Sequence, residues 1–335
     1  MRILVLGGTR FVGRHLVEAA RAGGHTVTVF NRGLSPLPWD DVERLTGDRE
    51  TGDLESLRGR EWDACLDVNG YRPQSVRASA GLLRDRVESY AFISTVSVYA
   101  LPAEPPINET GPLARTPADG AEGGAELYGP LKVECEQEVE SAFPGRALIL
   151  RPGIVAGPYD PTNRFAWWVE RVAQGGEVLG PGGPDTPLQL VDARDLARFA
   201  VASIGAQARG VYNVCGDPST FGELIAACAA ATGSAVRPAW VSGEILLAEG
   251  VEPFTELPLW IGDEPETRGF YTFANARARA AGLSLRPLEE TARDTWEWIA
   301  AVRSGDAPEP VAGAFVARGL DPARAAAIIE LSHFA

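Results

Sequence analysis

The chain has 335 residues, of which 45% are hydrophobic, so it is long and apolar enough for one large or two modest domains with a sizeable core. It carries 31 basic and 45 acidic residues, and the net charge of −14 disfavours nonspecific attraction to nucleic acid or to anionic lipid. We therefore expect a small-molecule partner, with no nucleic acid and no membrane.

Cysteine and histidine usage argues against two further classes of protein. Four cysteines without a CxxC pair are too few for a disulfide scaffold, and the three histidines have no metal-ligand spacing, so we expect no metal. The chain begins with a short apolar run rather than a signal peptide, and no stretch approaches the roughly 20 apolar residues that cross a bilayer. These features predict a cytoplasmic protein.

Hydrophobic periodicity predicts repeated βα units in the first part of the chain. Short apolar, β-branched runs alternate there with longer amphipathic stretches, which is typical of a parallel sheet flanked by helices. The predicted elements are, in chain order, strand 3–6, helix 11–22, strand 26–30, strand 64–68, helix 74–83, strand 90–94, helix 127–140 and strand 147–150. We predict an α/β fold with a doubly wound parallel sheet of Rossmann type.

The pattern loosens after residue 150. Helices are predicted at 165–173, 192–203, 221–232, 288–302 and 322–331, and a strand at 211–214. Segment 101–126 is rich in Pro, Gly, Ala and Glu and lacks periodicity, which predicts a long loop, either a lid or a solvated excursion. We assign residues 1–150, with this loop, to the sheet domain. Residues 151–335 are assigned mainly to a smaller C-terminal substrate domain, with parts that return to the sheet.

A glycine-rich turn follows the first predicted strand and leads into a helix. It has the sequence Gly7-Gly8-Thr9-Arg10-Phe11-Val12-Gly13. A strand, a glycine turn and a helix in this order present backbone N–H groups and a positive helix end to a pyrophosphate. Gly7 permits the tight turn, and Gly13 permits close packing of the helix on the sheet. The turn therefore predicts that residues 1–150 bind a dinucleotide.

The end of the second predicted strand bears on the choice of dinucleotide. Asn31 and Arg32 stand where many NAD-binding proteins place an acidic residue for the ribose 2′-hydroxyl. An arginine suits the 2′-phosphate of NADP instead, and Arg10 could contact the same phosphate. The alternative is that both arginines are ordinary surface charges. We favour NADP as the cofactor, with NAD as the alternative.

The chain contains a single lysine, Lys132, which stands four residues after Tyr128. Residues four apart on a helix share one face, so both side chains can converge on one ligand. A free phenol has a pKa of about 10, and a nearby ammonium favours its ionised form, which makes proton exchange near neutral pH easier. Pro130 fits a helix only in its first turn, which places Tyr128 near the helix start. Chance survival of one lysine on a solvated face is the alternative.

Taken together, these motifs resemble the extended short-chain dehydrogenase/reductase family, also called the NAD-dependent epimerase/dehydratase family. The glycine turn, the run 93–99, the Tyr128/Lys132 pair and the run 150–153 occur in the family's order and approximate spacing, over nearly the whole chain. The resemblance implies that Thr95 hydrogen-bonds the substrate oxygen, that Tyr128 is the general acid/base, and that Lys132 binds the cofactor ribose and lowers the pKa of the tyrosine. It also implies cofactor contacts from Asp48 at the adenine, Val68 and Asn69 near the ribose, and Pro152 and Gly153 beside the nicotinamide.

Two departures from the family pattern bear on the reaction. Arg10 replaces the usual middle glycine, which resembles an atypical branch with a Gly-Gly-Thr-Arg-Phe turn; some members of that branch have lost the tyrosine and lysine and bind RNA. This chain keeps both residues and is acidic, so we predict an enzyme. Val96 and Ser97 stand where the family's 4,6-dehydratases carry acidic residues, which argues against dehydration.

Three functions stay open. The leading prediction is an NADP-dependent oxidoreductase that transfers hydride between the nicotinamide and a secondary alcohol or ketone. The alternatives are a nucleotide-sugar epimerase that uses bound NAD and a non-catalytic dinucleotide- or RNA-binding protein.

The candidate substrate residues rest on weaker signals. Asn163, Arg164 and Trp168 follow a Gly-Pro turn where the family builds its substrate pocket, and Ser97 and Trp260 are further candidates. An arginine could pair with a phosphate or carboxylate and a tryptophan could stack on a ring, although ordinary packing explains the tryptophans equally well. Many relatives pair through helices beside the sheet, so a homodimer is compatible with the resemblance.

Overall fold

The computed structural model describes residues 1–116, 125–262, 264–310 and 315–333. In the first part of the chain, strands and helices alternate as β1 (Arg2–Leu6), α1 (Phe11–Ala22), β2 (Thr26–Asn31), β3 (Glu43–Thr46), β4 (Trp62–Asp67), α2 (Pro73–Leu83), β5 (Val87–Ile93), α3 (Tyr128–Ala142) and β6 (Ala147–Pro152). The later elements are β7 (Ile154–Ala156), α4 (Arg164–Ala173), β8 (Gly176–Pro181), β9 (Pro187–Leu188), β10 (Leu190–Asp192), α5 (Ala193–Gly205), β11 (Gly210–Val214), β12 (Ser219–Thr220), α6 (Phe221–Thr232), β13 (Val236–Val241), α7 (Gly243–Ala248), α8 (Ala276–Ala280), α9 (Leu288–Ser304) and α10 (Pro322–Ser332).

Seven strands form one parallel sheet in the order β11-β6-β5-β4-β1-β2-β3. The order of the strands reverses between β1 and β4, which is the topological switch of a doubly wound fold. The central strands are nearly continuous runs of buried apolar residues, as expected for strands with both faces covered. The predicted α/β fold with a Rossmann-type sheet is confirmed.

One strand of this sheet, β3, was not predicted from the sequence. It has four residues, lies at the sheet edge beside β2, and buries only Leu45. An edge strand this short carries too little apolar periodicity to be recognised in the sequence.

The chain divides into two compact units. Unit 1 comprises Met1–Gly153, Ala193–Cys215 and Phe273–Ser284, and it contains the seven-stranded sheet. Its second segment returns to the sheet because β11 pairs with β6. Unit 2 comprises Ile154–Asp192, Gly216–Thr272 and Leu285–Ala335.

Unit 2 combines small sheets with packed helices. Its strands pair two by two, β7 with β10, β8 with β13 and β9 with β12. Helix α6 begins at a capping box, in which Thr220 and Glu223 each bond the other's backbone N–H. Helices α4, α6 and α9 pack together around a core that includes the fully buried Trp168 and Phe221.

The predicted loop 101–126 is described up to residue 116 and again from residue 125. Its first part lies along unit 1, because Leu113 bridges to Tyr99 and Ile107 bridges to Phe273. Residues 117–124 lie outside the described residues, and the predicted lid stays a prediction. Among the described residues, no helix is long and apolar enough to cross a membrane.

A buried ion pair ties α3 to the end of β6. Arg151 donates from Nε and Nη2 to the two carboxylate oxygens of Glu136, at 3.0 and 2.7 Å, and both side chains are almost fully buried. Ser94 donates to Glu136 Oε1 at 2.5 Å, and Arg151 Nη1 donates to the hydroxyl of Tyr99 at 3.0 Å. Since breaking a buried pair leaves an uncompensated charge, this network should hold the helix in place.

We therefore expect Glu136→Gln to lower the free energy of unfolding by about 3–5 kcal/mol, because the Arg151 guanidinium would stay buried without a carboxylate. The matched control is Glu138→Gln on the same helix, whose partner Arg77 is largely exposed, so its loss should change stability little. Thermal and denaturant unfolding of the three proteins would check this, and equal melting temperatures would contradict it.

Candidate functional site

The carboxyl ends of the parallel strands β1, β2, β4 and β5 all lie on the same side of the sheet of unit 1. Most of the predicted site residues follow these strand ends.

The backbone conformation of the turn after β1 can be adopted only by glycine at two positions. Gly7 and Gly8 have φ values of 111° and 91°, which L side chains rarely adopt. A Cβ on Gly13 would lie 2.8 Å from the backbone nitrogen of Gly8, so the helix start could not approach the turn with any side chain there.

The start of α1 is shaped to receive an anion. Arg10 is the N-cap residue in extended conformation, and within the described residues its side chain caps no backbone N–H of the helix. The first turn has no acidic residue. Thr9, Phe11 and Val12 are half-buried along this turn. Uncapped N–H groups and the positive end of the helix dipole are features that suit a phosphate or pyrophosphate.

Asn31 connects the end of β2 to the glycine turn. Its Nδ2 donates to the carbonyl of Gly7 at 3.0 Å, while its Oδ1 accepts from the N–H of Gly33 at 2.9 Å. Arg32 is exposed and makes no hydrogen bond or ion pair with the described residues. Asn31 therefore shapes the turn, and Arg32 is available to a ligand.

Two further arginines approach the segment after β2. Arg10 Nε donates to Ser35 Oγ at 3.2 Å, and Arg44 Nη2 donates to the carbonyl of Ser35 at 2.7 Å. The Nε of Arg44 is buried without a partner among the described residues. Ser35 and Arg44 were not predicted from the sequence, because Arg44 lies on the unpredicted strand β3 and neither residue belongs to a motif.

The remaining predicted cofactor contacts lie around the ends of β3, β4 and β6. Asp48 is half-buried in a tight turn bridged to Asp53, and Val68 packs beneath the glycine turn, since a Cβ on Gly7 would lie 2.9 Å from its Cγ1. Asn69 is exposed, and its N–H donates to Asp67 Oδ1 at 3.1 Å. Pro152 ends β6, and Gly153 donates its N–H to Val214 at 3.2 Å.

The single lysine is buried, with 3% of its surface exposed. Its Nζ donates to the carbonyls of Gly70 and Ile93 at 2.9 and 2.8 Å and lies 4.0 Å from the ring centroid of Phe92. Burial lowers the pKa of Lys132 to about 8 because the interior disfavours the charged form. The lysine is thus held rigidly as an ammonium that loses its proton more readily than an exposed one.

Helix α3 brings Tyr128 close to the residues that follow β5. The N–H of Ser97 donates to Thr95 Oγ1 at 3.1 Å, and the Thr95 hydroxyl donates to Ser97 Oγ at 3.2 Å. A Cβ on Gly129 would lie 2.0 Å from the carbonyl oxygen of Ser97, so only glycine permits this contact. Tyr128 is the first residue of the helix and 40% exposed, which leaves it accessible to a ligand.

Tyr71 is a further residue of this region that the sequence analysis did not select. It follows Gly70, its side chain is 54% exposed, and its ring centroid lies 5.7 Å from Nζ of Lys132. Rings of Tyr71 and Phe92 therefore both contact the ammonium, a cation–π arrangement. The sequence signal for it was its place four residues after the end of β4, in the segment that follows a strand of the parallel sheet.

The predicted substrate residues other than Ser97 lie in unit 2. Asn163 has a left-handed φ of 57° and donates to the carbonyl of Ala317 at 3.3 Å, and Arg164 donates to Thr162 Oγ1 at 2.9 Å. Trp168 and Trp260 are 0% and 1% exposed. Their burial favours the packing alternative for both tryptophans.

Asp160, a buried acid close to these residues in the chain, was not predicted as a site residue. Its Oδ1 accepts two hydrogen bonds from Thr162, whereas its Oδ2 has no partner among the described residues. Burial raises the pKa of its carboxyl. Within the described residues, no cluster of histidine, cysteine, aspartate and glutamate could hold a metal.

The model of the NAD dependent epimerase/dehydratase family matches residues 3–69 and 74–215, which is the family that the sequence motifs predicted. The chloroplast stem-loop binding protein of 41 kDa b from Arabidopsis thaliana is 29% identical over 256 residues, which are 69% of this chain. The chain spans 63% of the length of that curated relative.

Solved structures share the fold at low sequence identity. The enzyme WbmH of Bordetella bronchiseptica, solved in complex with NAD+, gives a TM-score of 0.67 at 15% identity over 89% of this chain and 98% of its own. UDP-glucuronic acid 4-epimerase from Bacillus cereus, also in complex with NAD, gives 0.65 at 17% identity over 92% of this chain and 99% of its own.

We expect Gly129→Ala to lower the melting temperature, because its Cβ would overlap the Ser97 carbonyl and push the start of α3 away. Gly81→Ala in helix α2 is the matched control, since a Cβ there meets nothing within 4 Å. Alanine should stabilise that helix by roughly 0.5–1 kcal/mol. Thermal unfolding of both variants checks this, and a Gly129→Ala protein as stable as the control would refute the close contact.

Proposed function

Because the chain belongs to the NAD dependent epimerase/dehydratase family, we propose that it is an NADP-dependent oxidoreductase that interconverts a ketone and a secondary alcohol of a small molecule. The observation that carries the proposal is the arrangement at the carboxyl edge of the sheet. A buried lysine, an exposed tyrosine one helical turn before it and a threonine after β5 share that edge.

The residues of unit 1 fit a dinucleotide. A Cβ at Gly7, Gly8 or Gly13 would crowd the turn, so the three glycines keep its backbone accessible to a ligand. The uncapped start of α1 would hold the pyrophosphate. We assign the remaining contacts as the family resemblance implies: Asp48 at the adenine, Val68, Asn69 and Lys132 at the ribose, and Pro152 and Gly153 beside the nicotinamide. When bound, the nicotinamide would accept or donate hydride at its C4.

In the proposed reaction, Tyr128 exchanges the proton of the alcohol. In the direction of ketone reduction its hydroxyl donates a proton to the oxygen, while the Thr95 hydroxyl donates a hydrogen bond to the same oxygen. The ammonium of Lys132 favours the resulting phenolate, because an opposite charge lowers the pKa of a phenol. The N–H of Ser97 donates to Thr95 Oγ1 and so orients the hydroxyl, whose single proton would turn from Ser97 Oγ, its acceptor in the structure, to the oxygen of the substrate.

The preference for NADP rests on the cations after β2. Arg32 is exposed and unpartnered among the described residues, and Arg10 and Arg44 both reach Ser35 in the same segment. Three guanidinium groups around one short segment suit a phosphate monoester better than a ribose hydroxyl. No acidic residue occupies positions 31–35 to receive a 2′-hydroxyl.

A nucleotide-sugar epimerase with bound NAD is the second candidate. Its support is that solved structures with this fold include a UDP-glucuronic acid 4-epimerase in complex with NAD. Mass spectrometry of the purified protein distinguishes the two, since an epimerase would retain NAD and consume no cofactor during turnover.

A non-catalytic RNA-binding protein is the third candidate, and it is supported by the stem-loop binding relative. It predicts that Lys132→Met leaves RNA binding intact and that no carbonyl substrate is turned over. The net charge of −14 argues against it.

The cytoplasmic location and the homodimer stay predictions from the sequence. All four cysteines are free and buried, as a reducing compartment allows.

We expect Tyr128→Phe to lower kcat for ketone reduction by about 100-fold or more, because the variant has no proton to donate at this position. NADPH oxidation across a panel of ketones and nucleotide sugars provides the measurement. Tyr212→Phe, on the edge strand β11, is the control and should retain full activity. Undiminished turnover in Tyr128→Phe would remove the tyrosine from the mechanism.

We expect Arg32→Ser to weaken NADP binding by about 10- to 100-fold and to leave NAD binding unchanged, since one charge-assisted hydrogen bond contributes about 1.5–3 kcal/mol. Calorimetric titration of the protein with both dinucleotides checks this. Arg60→Ser, just before β4 at the opposite edge of the sheet, is the control, because it removes an exposed arginine paired with Glu43. Equal losses for NADP and NAD would assign Arg32 no part in the choice of cofactor.

A further inference from the structure

A second buried ion pair lies beneath the candidate site and has no part in the proposed reaction. Arg49 donates from Nη1 and Nη2 to the two carboxylate oxygens of Asp67, at 2.7 and 3.0 Å, and both side chains are buried. Tyr90 donates to Asp67 Oδ2 at 2.7 Å, and Arg49 Nη2 also donates to Ser79 Oγ at 2.6 Å. Burial alone would raise the pKa of Asp67, but Arg49 holds it below its ordinary value.

This pair is costly to bury. Replacing a buried ion pair by apolar residues of similar volume often leaves a protein as stable as before or more stable. In addition, the Nε of Arg49 is buried without a partner among the described residues. An unsatisfied buried donor costs about 1–3 kcal/mol. A gain in stability therefore does not explain why two opposite charges are buried here. We look for the explanation in what the two residues contact.

The pair connects two parts of the candidate site. Arg49 follows Asp48, the proposed adenine contact, in the turn closed by the bridge to Asp53. Asp67 ends β4, and its Oδ1 accepts from the N–H of Asn69, which shapes the chain leading to Gly70. The carbonyl of Gly70 accepts from Nζ of Lys132 at 2.9 Å.

Gly70 is itself fixed tightly. A Cβ at this position would lie 2.4 Å from the ring of Phe92, the ring that also contacts the ammonium. The link from Arg49 to the lysine thus runs through the buried ion pair, the backbone N–H of Asn69 and the Gly70 carbonyl, with no flexible side chain between Asp67 and that carbonyl.

We propose that Arg49 and Asp67 are positioning residues for Lys132, whose ion pair fixes the Gly70 carbonyl that receives the ammonium and balances the charge around it. The inference rests on the proposed role of Lys132, and it adds a link between the adenine side of the site and its proton-exchanging side. Neither residue touches the reacting atoms.

The charges around Lys132 determine in which direction each substitution should shift its pKa. Beyond burial, the carboxylates of Asp67 and Glu136 raise the pKa of Lys132, while the guanidinium of Arg49 lowers it. Removing one member of the pair leaves the other uncompensated. Arg49→Gln should therefore raise the pKa of the lysine, and Asp67→Asn should lower it.

The chain offers a direct measurement, because it contains one lysine. Protein grown with carbon-13 lysine gives a single side-chain signal, whose chemical shift is followed by NMR as pH is raised from neutral to alkaline. The titration needs no cofactor or substrate. Its result is therefore independent of whether the proposed oxidoreductase activity is found, and the two proposals can fail separately.

We expect a midpoint of about 8 in the wild type, a midpoint higher by roughly half a unit to one unit in Arg49→Gln, and one lower by a similar amount in Asp67→Asn. The double variant should return close to the wild type. The exposed Arg77→Gln variant is the control and should not shift the midpoint. The alkaline limb of the pH–rate profile should move with the same signs.

Shifts in the same direction for both single variants, or midpoints equal to the wild type, would overturn the proposal, because a purely structural role predicts no opposition of sign. If one single variant does not fold, the midpoint of the other is compared with that of the uncharged double variant. It should differ from the double variant in the same direction as it differs from the wild type.

Discussion

Burial of one ammonium group is the constraint around which unit 1 is arranged. A charged amine removed from water needs hydrogen-bond acceptors and compensating charges, and Lys132 receives the acceptors from the carbonyls of Gly70 and Ile93. Ile93 is the last residue of β5 and Gly70 stands three residues after the end of β4, so the lysine also joins the chain segments at the ends of these two neighbouring strands. Two buried arginine–carboxylate pairs, Arg49–Asp67 and Arg151–Glu136, supply fixed charge close to the lysine.

Close backbone approaches bring the other groups to this lysine. Gly129 lets the start of α3 touch the carbonyl of Ser97, and Gly13 lets α1 touch the glycine turn. Both contacts exclude a Cβ, so the positions of Tyr128 and of the dinucleotide turn depend on the absence of side chains elsewhere. The residues proposed for proton exchange and for cofactor binding thus lie together, because parallel strands end on the same side of the sheet.

Much of the sheet unit was predictable because its signals are local. Alternating apolar runs predicted most of its strands close to their observed bounds, and the spacing of Tyr128 and Lys132 indicated a common helix face. The strand β3, and with it Arg44, was missed because four edge residues carry no periodic signal. Trp260, a candidate for substrate contact, lies in the core of unit 2, since an aromatic residue in a sequence shows only that it can be buried.

The sequence determined the family and the fold class and singled out Tyr128 and Lys132 as candidates for proton exchange, because these depend on residue type and short spacing. Tertiary structure decided the surroundings of those groups: that Lys132 is buried between two carbonyls, and that Arg49 and Asp67 meet 18 residues apart to fix one of them. Contacts between residues distant in sequence leave no periodic trace in the chain. Packing alone brings them together, and with them the electrostatic environment of the lysine.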